Sequence, residues 1–377
     1  MILQNPPLWF ILIAFLCTIG PLVLIHEFGH YWVARRLGVG AEVFSIGFGR
    51  EIAGWTDKRG TRWQIGWLPL GGYVRFVGDE NEASKPSEAQ PLSAEDRARS
   101  FHLRPVWQRS LIVLAGPLAN FLVAIAIFAA LFAALGMPRT SNFVSAVQAG
   151  SPAERAGIRA SDRIVSVAGR QTDSFEDVQR IVTLRPGETV AITVQRGGSQ
   201  IPLSAQLGKL LEKDRFGQSF ERGLLGVQGN QRQFVRLSPL ELIPQATAYT
   251  FTLTRWMIDG LWQIVSGRRS IKDIGGPIKI AQIAGQQASL GALEFIQLVA
   301  LISINLGFIN LLPVPMLDGG HLAFYAVEAV RRRPLSARAL EWAFRGGVAV
   351  ILALLVFTTV NDLGSIGFWD RLQRLIG

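Results

Sequence analysis

One cysteine in 377 residues, Cys17, excludes any internal disulfide. Histidine is almost as scarce. His26, His30, His102 and His321 are the whole set, so a site built on imidazoles must draw on these four. Charge is thin as well, at 18% of residues, and is unevenly placed. The run "PLWFILIAFLCTIGPLVLIHEFGHYWVAR" carries no charge before Arg35 apart from the side chains of "HEFGH" (His26–His30). "MILQNPPLWF" lacks the positive n-region of a secretory signal, and no small-residue cleavage site follows the apolar run. The first segment therefore reads as retained.

Long apolar runs, by contrast, are present. A bilayer span needs about 20 apolar residues. Leu8–Ala34, Leu111–Leu135 and Phe295–Val327 are long enough, and Gly346–Val360 is a shorter fourth. This is the pattern of a polytopic, mainly α membrane protein. The net charge of +10 does not point to nucleic acid. Arg35, Arg36, Arg50, Lys58, Arg59, Arg62 and Arg75 follow the first run, and Arg331, Arg332 and Arg333 follow the third. Basic residues beside membrane helices mark the cytoplasmic side. Both clusters are expected to face the cytoplasm, with the region between runs two and three outside.

Between the first two runs, "AEVFSIGFGREIAGW" and "TRWQIGWLPLGGYVRFVG" read as strands within 41–78. Trp63, Ile65 and Trp67 alternate, and Gly71-Gly72 is a turn signal. Asp79–Ser100 is polar and rich in breakers, and reads as a linker. The stretch 138–230 has short β-branched strands, a short helix near Phe175–Val182 and Pro-Gly and Gly-Gly turns. Ser151-Pro152-Ala153, Ala156-Gly157-Ile158 and Asp162-Arg163-Ile164 resemble a circularly permuted bacterial PDZ domain. In such domains a Gly-Leu-Gly-type loop receives a peptide carboxylate while the peptide adds as a strand. Gly223-Leu224-Leu225-Gly226 is the candidate loop, with an ordinary hairpin turn as the alternative. Within 231–294, Ser238–Gly267 is amphipathic with tryptophans and is expected at the outer membrane surface or against the bundle.

Ionisable groups at bilayer depth cost about 2.5–3.5 kcal/mol each even on the lenient insertion scale, so they are functional by default. Residues four apart share one helix face, which places His26 and His30 together with Glu27 beside them. H-E-x-x-H is the zinc-binding arrangement in which two imidazoles hold the metal and the Glu serves as general base. Catalytic zinc takes three protein ligands and keeps an open position for water. In "NLGFINLLPVPMLDGGHLAFYAV" the only acid is Asp318, which is therefore the candidate third ligand; His321 is the alternative. Pro313 and Pro315 cannot sit inside a regular helix. The third run is expected to break at "PVP" and resume as helix near Asp318. Broken backbone at membrane depth needs protein or a watery cavity around it. An extended segment there could accept an opened substrate strand, with Asn310 offering its amide; a simple proline kink is the alternative.

These features together resemble the bacterial site-2 proteases, the intramembrane zinc metalloproteases, and within them the RseP-like regulator-of-sigma-E branch. "HEFGH", "PLGGYVRF", "AGPLANF" (Ala115–Phe121), the PDZ-like module and "SINLGFINLLPVPMLDGGHL" carry the resemblance. It implies a membrane core of 1–137 and 295–377 with four transmembrane helices, a periplasmic PDZ domain over 138–230 and a periplasmic helical segment over 231–294. It implies Zn2+ on His26, His30 and Asp318, with Glu27 as catalytic base. Asn310, Pro313 and Pro315 would bind substrate, and the strand around Gly71 and Gly72 would pair with it. The implied partners are single-pass membrane proteins in the bacterial inner membrane, such as truncated anti-sigma factors and remnant signal peptides, together with lipid. The better-known members of this branch carry two PDZ domains; here there is one. A non-enzymatic adaptor would gain nothing from H-E-x-x-H and Asp318, and a metal transporter would need more intramembrane ligands than are present.

Overall fold

The computed structural model describes residues 6–79, 93–139, 141–213, 219–229, 233–266, 270–271 and 275–365. Residues 80–92 of the expected linker and the tail from 366 onward lie outside the described residues. The chain divides into two compact units, one of Met1–Ala129 with Ile243–Leu363 and one mainly of Ala130–Leu242.

In the first unit, α1 (Leu8–Arg36) is almost wholly apolar and closes on Arg35 and Arg36, whose charge suits the carbonyl end of a helix. Gly38, in a left-handed conformation, follows it. Two long strands come next, β1 (Ala41–Thr56) and β2 (Arg62–Phe76), paired antiparallel. Both bend, so Ile46 lies opposite Gly72 on one side and Ile65 on the other. Gly71-Gly72 is thus a bend inside β2 rather than a turn between strands. The sheet docks on α1 through aromatic contacts. Tyr31 meets Phe44 and Trp63 at centroid distances of 5.6 and 5.2 Å, and Phe44 stacks on Trp63 at 4.3 Å. Beyond it, α2 (Ala94–Arg99) gives the last part of the expected linker a regular turn, capped by Ser93. Then α3 (Val106–Leu135) crosses back, starting a turn and a half before its apolar run.

The second unit holds β3 (Met137–Arg139), β4 (Val144–Val147), α4 (Pro152–Arg155), β5 (Arg163–Val167), β6 (Arg170–Gln171), α5 (Phe175–Thr183), β7 (Thr189–Arg196), β8 (Ser199–Gln206), β9 (Gly208–Lys213), β10 (Ser219–Leu224), β11 (Val227–Gly229) and β12 (Gln233–Val235). Strands β6-β5-β7-β8 form one sheet, and β4 pairs with β11. Its core comprises Val144, Ile164, Val167, Val178, Ile192 and Val194, each at most 1% exposed. Ser174 and Asp177 close a capping box on α5. The candidate peptide loop is no hairpin, because β10 pairs with β9 while β11 pairs with β4. Its middle is anchored in the core: Leu225 is 2% exposed and its carbonyl accepts from Ala153 N.

Returning to the first unit, α6 (Pro239–Val265) buries Ala246, Thr250 and Leu253 and exposes Leu240, Phe251, Ile258 and Trp262, so it is amphipathic as expected. Next, α7 (Pro277–Leu290) packs along α1, with Gly285 against Ile11. The third apolar run is two helices, α8 (Ala292–Asn310) and α9 (Asp318–Arg331), interrupted at "LLPVPML" as the prolines require. Only α8 is long and apolar enough to span. Last, α10 (Ala337–Ser365) is far longer than 346–360, because it runs straight through Gly346-Gly347. Pro315 O would lie 2.4 Å from a Cβ on Gly347, so that pair marks a close crossing and not a break. Asp362 of α10, 1% exposed, accepts from Gly276 N and Lys279 N and caps α7. Among the described residues four helices, within α1, α3, α8 and α10, can cross a membrane by length and composition.

One ion pair with a buried carboxylate makes the second unit sensitive to acid. Asp162 is 1% exposed and accepts two hydrogen bonds from Arg196, at 2.6 and 2.7 Å, and one from Arg159 N at 2.8 Å. Burial pushes its carboxyl up, but the Arg196 and Arg159 donors outweigh this and hold it below 3.8. A depressed folded pKa gives stability that is present above the unfolded value and lost as pH falls through the folded one. Hydrogen exchange of the full chain should show β5 and β7 protected from neutral pH down to the carboxylate range and opening below it. Asp162→Asn should lower protection at neutral pH and remove that acid step.

Candidate metal centre

His26 and His30 project from one face of α1 and are 6% and 8% exposed. Asp318 is the first residue of α9. His26 Nε2 and His30 Nε2 lie 3.1 and 3.4 Å from Asp318 Oδ2, and 3.3 Å from each other. Among the described residues this is the group of three donors able to hold a metal. Zinc bonds nitrogen and oxygen at about 2.0–2.1 Å, and a tetrahedron with such legs has edges of about 3.3 Å. The triangle therefore has the size of one face of a zinc tetrahedron. Asp318 Oδ2 is buried without a hydrogen-bond partner, which fits a lone pair reserved for a cation. Glu27 and Asp318 are the two acids lining the cavity, and a dication balances their charge.

The other nitrogen of each imidazole meets α3. His30 Nδ1 lies 2.9 Å from Ile112 O, and a carbonyl can only accept, so Nδ1 carries the proton and Nε2 presents its lone pair. His26 Nδ1 lies 3.1 Å from the Asn120 side-chain amide. Such proximity needs small residues. A Cβ on Gly116 would sit 2.2 Å from His30 Nε2, and one on Gly29 2.5 Å from Ala115 O. The stretch "AGPLANF" thus shapes the floor of the site. Its spacing alone carried no sign of this, and Asn120 and Gly116 are functional candidates that sequence reasoning missed.

Asp318 is delivered by the broken segment. Leu311, Leu312 and Val314 fold their carbonyls back over the first turn of α9, and a Cβ on Gly319 or Gly320 would come within 2.3 Å of them. Farther along α9, Arg109 of α3 donates to Glu328 at 2.7 Å and stacks over Tyr325 at 4.7 Å. Those contacts hold α9 to α3, the helix that also orients the histidines.

A cavity of ≈ 370 Å³ opens over the three donors. Glu27 lines it and accepts a hydrogen bond from Val74 N of β2. Gly72, Tyr73 and Val74 form one wall, with Asn310 and His321 also facing the space. Gly71 sits just outside, with its α-carbon against Phe48. Asn310 donates its amide to Leu306 O, within its own helix. Neither Pro313 nor Pro315 is among the lining residues; Pro313 is exposed and Pro315 packs on Gly347. Their neighbour Met316 lines the cavity instead, at φ 83°. A left-handed methionine is a strained residue of the kind that collects at functional sites, and nothing in the sequence singled it out. His321 stands apart from the triangle of donors, and His102 pairs with Asp79 at 2.8 Å.

The model of peptidase family M50 matches residues 14–354. Relatives cover nearly the whole chain. A protein of Agrobacterium fabrum, provisionally named a zinc metalloprotease, is 42% identical over 362 residues, covering 94% of this chain and 96% of its own. One from Brucella suis with the same kind of name is 43% identical over 360 residues, covering 93% and 94%. Metalloprotease MmpA of Caulobacter vibrioides is 39% identical over 377 residues, covering 93% and 95%. A solved PDZ domain of an SdrC-like protein from Listeria monocytogenes covers 25% of this chain and 93% of its own at 19% identity, but its TM-score of 0.19 carries no argument.

The packing at Gly116 yields a direct test. Gly116→Ala should displace the His30 ring and cut zinc uptake by the purified full chain at least tenfold, with helical circular dichroism unchanged. Full metal occupancy in that variant would contradict the geometry.

Proposed function

This chain belongs to peptidase family M50, and from that premise we propose that it is a zinc metalloendopeptidase that hydrolyses a peptide bond within the membrane-spanning segment of single-pass proteins. The carrying observation is the triangle His26–His30–Asp318, drawn from two helices far apart in sequence and sized for one zinc ion. When bound, zinc supplies a Lewis acid that polarises the scissile carbonyl and acidifies water.

The chain's own residues do the rest. Glu27, held by Val74 N and facing the cavity, takes a proton from the attacking water. It passes that proton to the leaving amide nitrogen as the new C–O bond forms and the C–N bond breaks. A substrate helix hides its carbonyls in internal hydrogen bonds, so it must unwind first. Segment 72–76 of β2 pairs with 41–46 on one side and lines the cavity on the other. An opened peptide adding to that edge would be held extended beside Glu27. Gly72 suits this, since its lack of a side chain leaves the strand surface clear next to Glu27. Asn310 would orient the peptide from the opposite wall. Pro313 and Pro315 act at one remove, by breaking the helix so that Met316 and Asp318 reach the site.

The same reading places the protein in the bacterial inner membrane, with residues 138–230 periplasmic and the site toward the cytoplasmic side, as the basic clusters after α1 and α9 favour. Its substrates are truncated anti-sigma factors and remnant signal peptides, with lipid around it and no nucleic acid. The core-anchored loop at Leu225 favours a size filter over a peptide-capturing role for the outer module.

The test is Glu27→Gln assayed on a reporter membrane peptide. Zinc content should stay at one per chain while turnover falls by about 10²–10⁴. A chelator should abolish cleavage by the native protein, and added zinc should restore it. Undiminished turnover in the variant would refute the assignment of Glu27.

A further inference from the structure

The Asn120 side chain is fully buried on α3, level with the metal centre, and its backbone carbonyl is pinned by Ser303 Oγ of α8 at 2.8 Å. Its amide nitrogen faces His26 Nδ1 at 3.1 Å, while its side-chain oxygen is buried without a partner. These two facts are linked. The two ends of a carboxamide are nearly the same shape, and hydrogen bonding decides which faces where. With the nitrogen toward His26, Nδ1 must be an acceptor and the imidazole proton sits on Nε2, which blocks the atom that faces Asp318. Half a turn of the amide reverses this. The orphaned oxygen then accepts from Nδ1–H, and the Nε2 lone pair is free.

We propose that Asn120 is a positioning residue whose side-chain oxygen accepts a hydrogen bond from His26 Nδ1–H, locking that imidazole in the tautomer that presents Nε2 to the metal. The inference rests on the metal reading above and deepens it. His30 has the matching arrangement with Ile112 O. On α3, Ile112 and Asn120 are eight residues apart, and on α1 His30 and His26 are four apart and run in the opposite order, so one helix orients both ligands.

The experiment compares the native chain with Asn120→Leu and Asn120→Asp, all full length in detergent. Zinc affinity is read by competition with a chromogenic chelator, and ligand geometry by the visible spectrum of the cobalt-loaded protein. Outer hydrogen-bond partners of metal-bound histidines are worth about 10–100-fold in affinity. Asn120→Leu should lose that much, whereas Asn120→Asp, which keeps an acceptor, should stay within a few-fold of native with a tetrahedral cobalt spectrum. Equal affinity for Leu and native, or equal loss in Leu and Asp, would overturn the proposal. Should the Leu variant fail to fold, 15N NMR of labelled imidazoles in the zinc-loaded native chain decides: a proton on His26 Nδ1 supports it, and metal on Nδ1 overturns it. A native chain that takes up no zinc would instead sink the metal reading itself.

Discussion

Three imidazoles and two carboxylates share one cavity among helices built for a bilayer, and that concentration of polar groups governs the architecture around it. Left bare, Glu27 and Asp318 would repel one another where water is too scarce to screen them. One divalent cation removes most of that cost, provided three donors reach it together. Everything that fixes the donors therefore also relieves the strain of burying them. A metal site of this kind ties stability and chemistry to the same few ångströms.

Meeting that demand takes close approach. Gly116 leaves room for the His30 ring, and Gly29 lets α1 settle on the Ala115 carbonyl. In membranes, where apolar side chains gain little by leaving lipid, such small-residue contacts are a main source of helix association. On the opposite side, "PVP" ends α8 and the following glycines let the turn fold tightly on α9. Asp318 then starts a helix and does not hang in a loop. Arg109, gripping Glu328 and Tyr325, keeps that helix against α3. The result is a centre in which α3, carrying no metal donor, is in contact with every element that does.

The bent sheet supplies what the helices cannot. A helix has no free backbone edge, so it cannot hold an extended peptide. Docked on Tyr31, one residue past His30, β1 and β2 bring an open strand edge beside Glu27, the proposed base. The contact from Val74 N to Glu27 would make the two proposed functions, holding a peptide and moving a proton, neighbours on one wall.

Much of this was legible in the order of residues. Spacing of three and four along an apolar helix placed His26, Glu27 and His30 together, and the scarcity of acids in the third run left Asp318 as the partner. Prolines announced the break before α9, and alternation announced β1 and β2. What stayed hidden were contacts whose meaning depends on a neighbour distant in sequence. Asn120 is an ordinary amide until His26 stands 3.1 Å away, and Gly347 looks like a breaker until Pro315 lies on it. Met316, not the prolines beside it, lines the cavity for the same reason. Local pattern settles which segments are helix and which side chains share a face, because those follow from backbone periodicity. Which face meets which is decided by packing in three dimensions, and only the folded chain holds that.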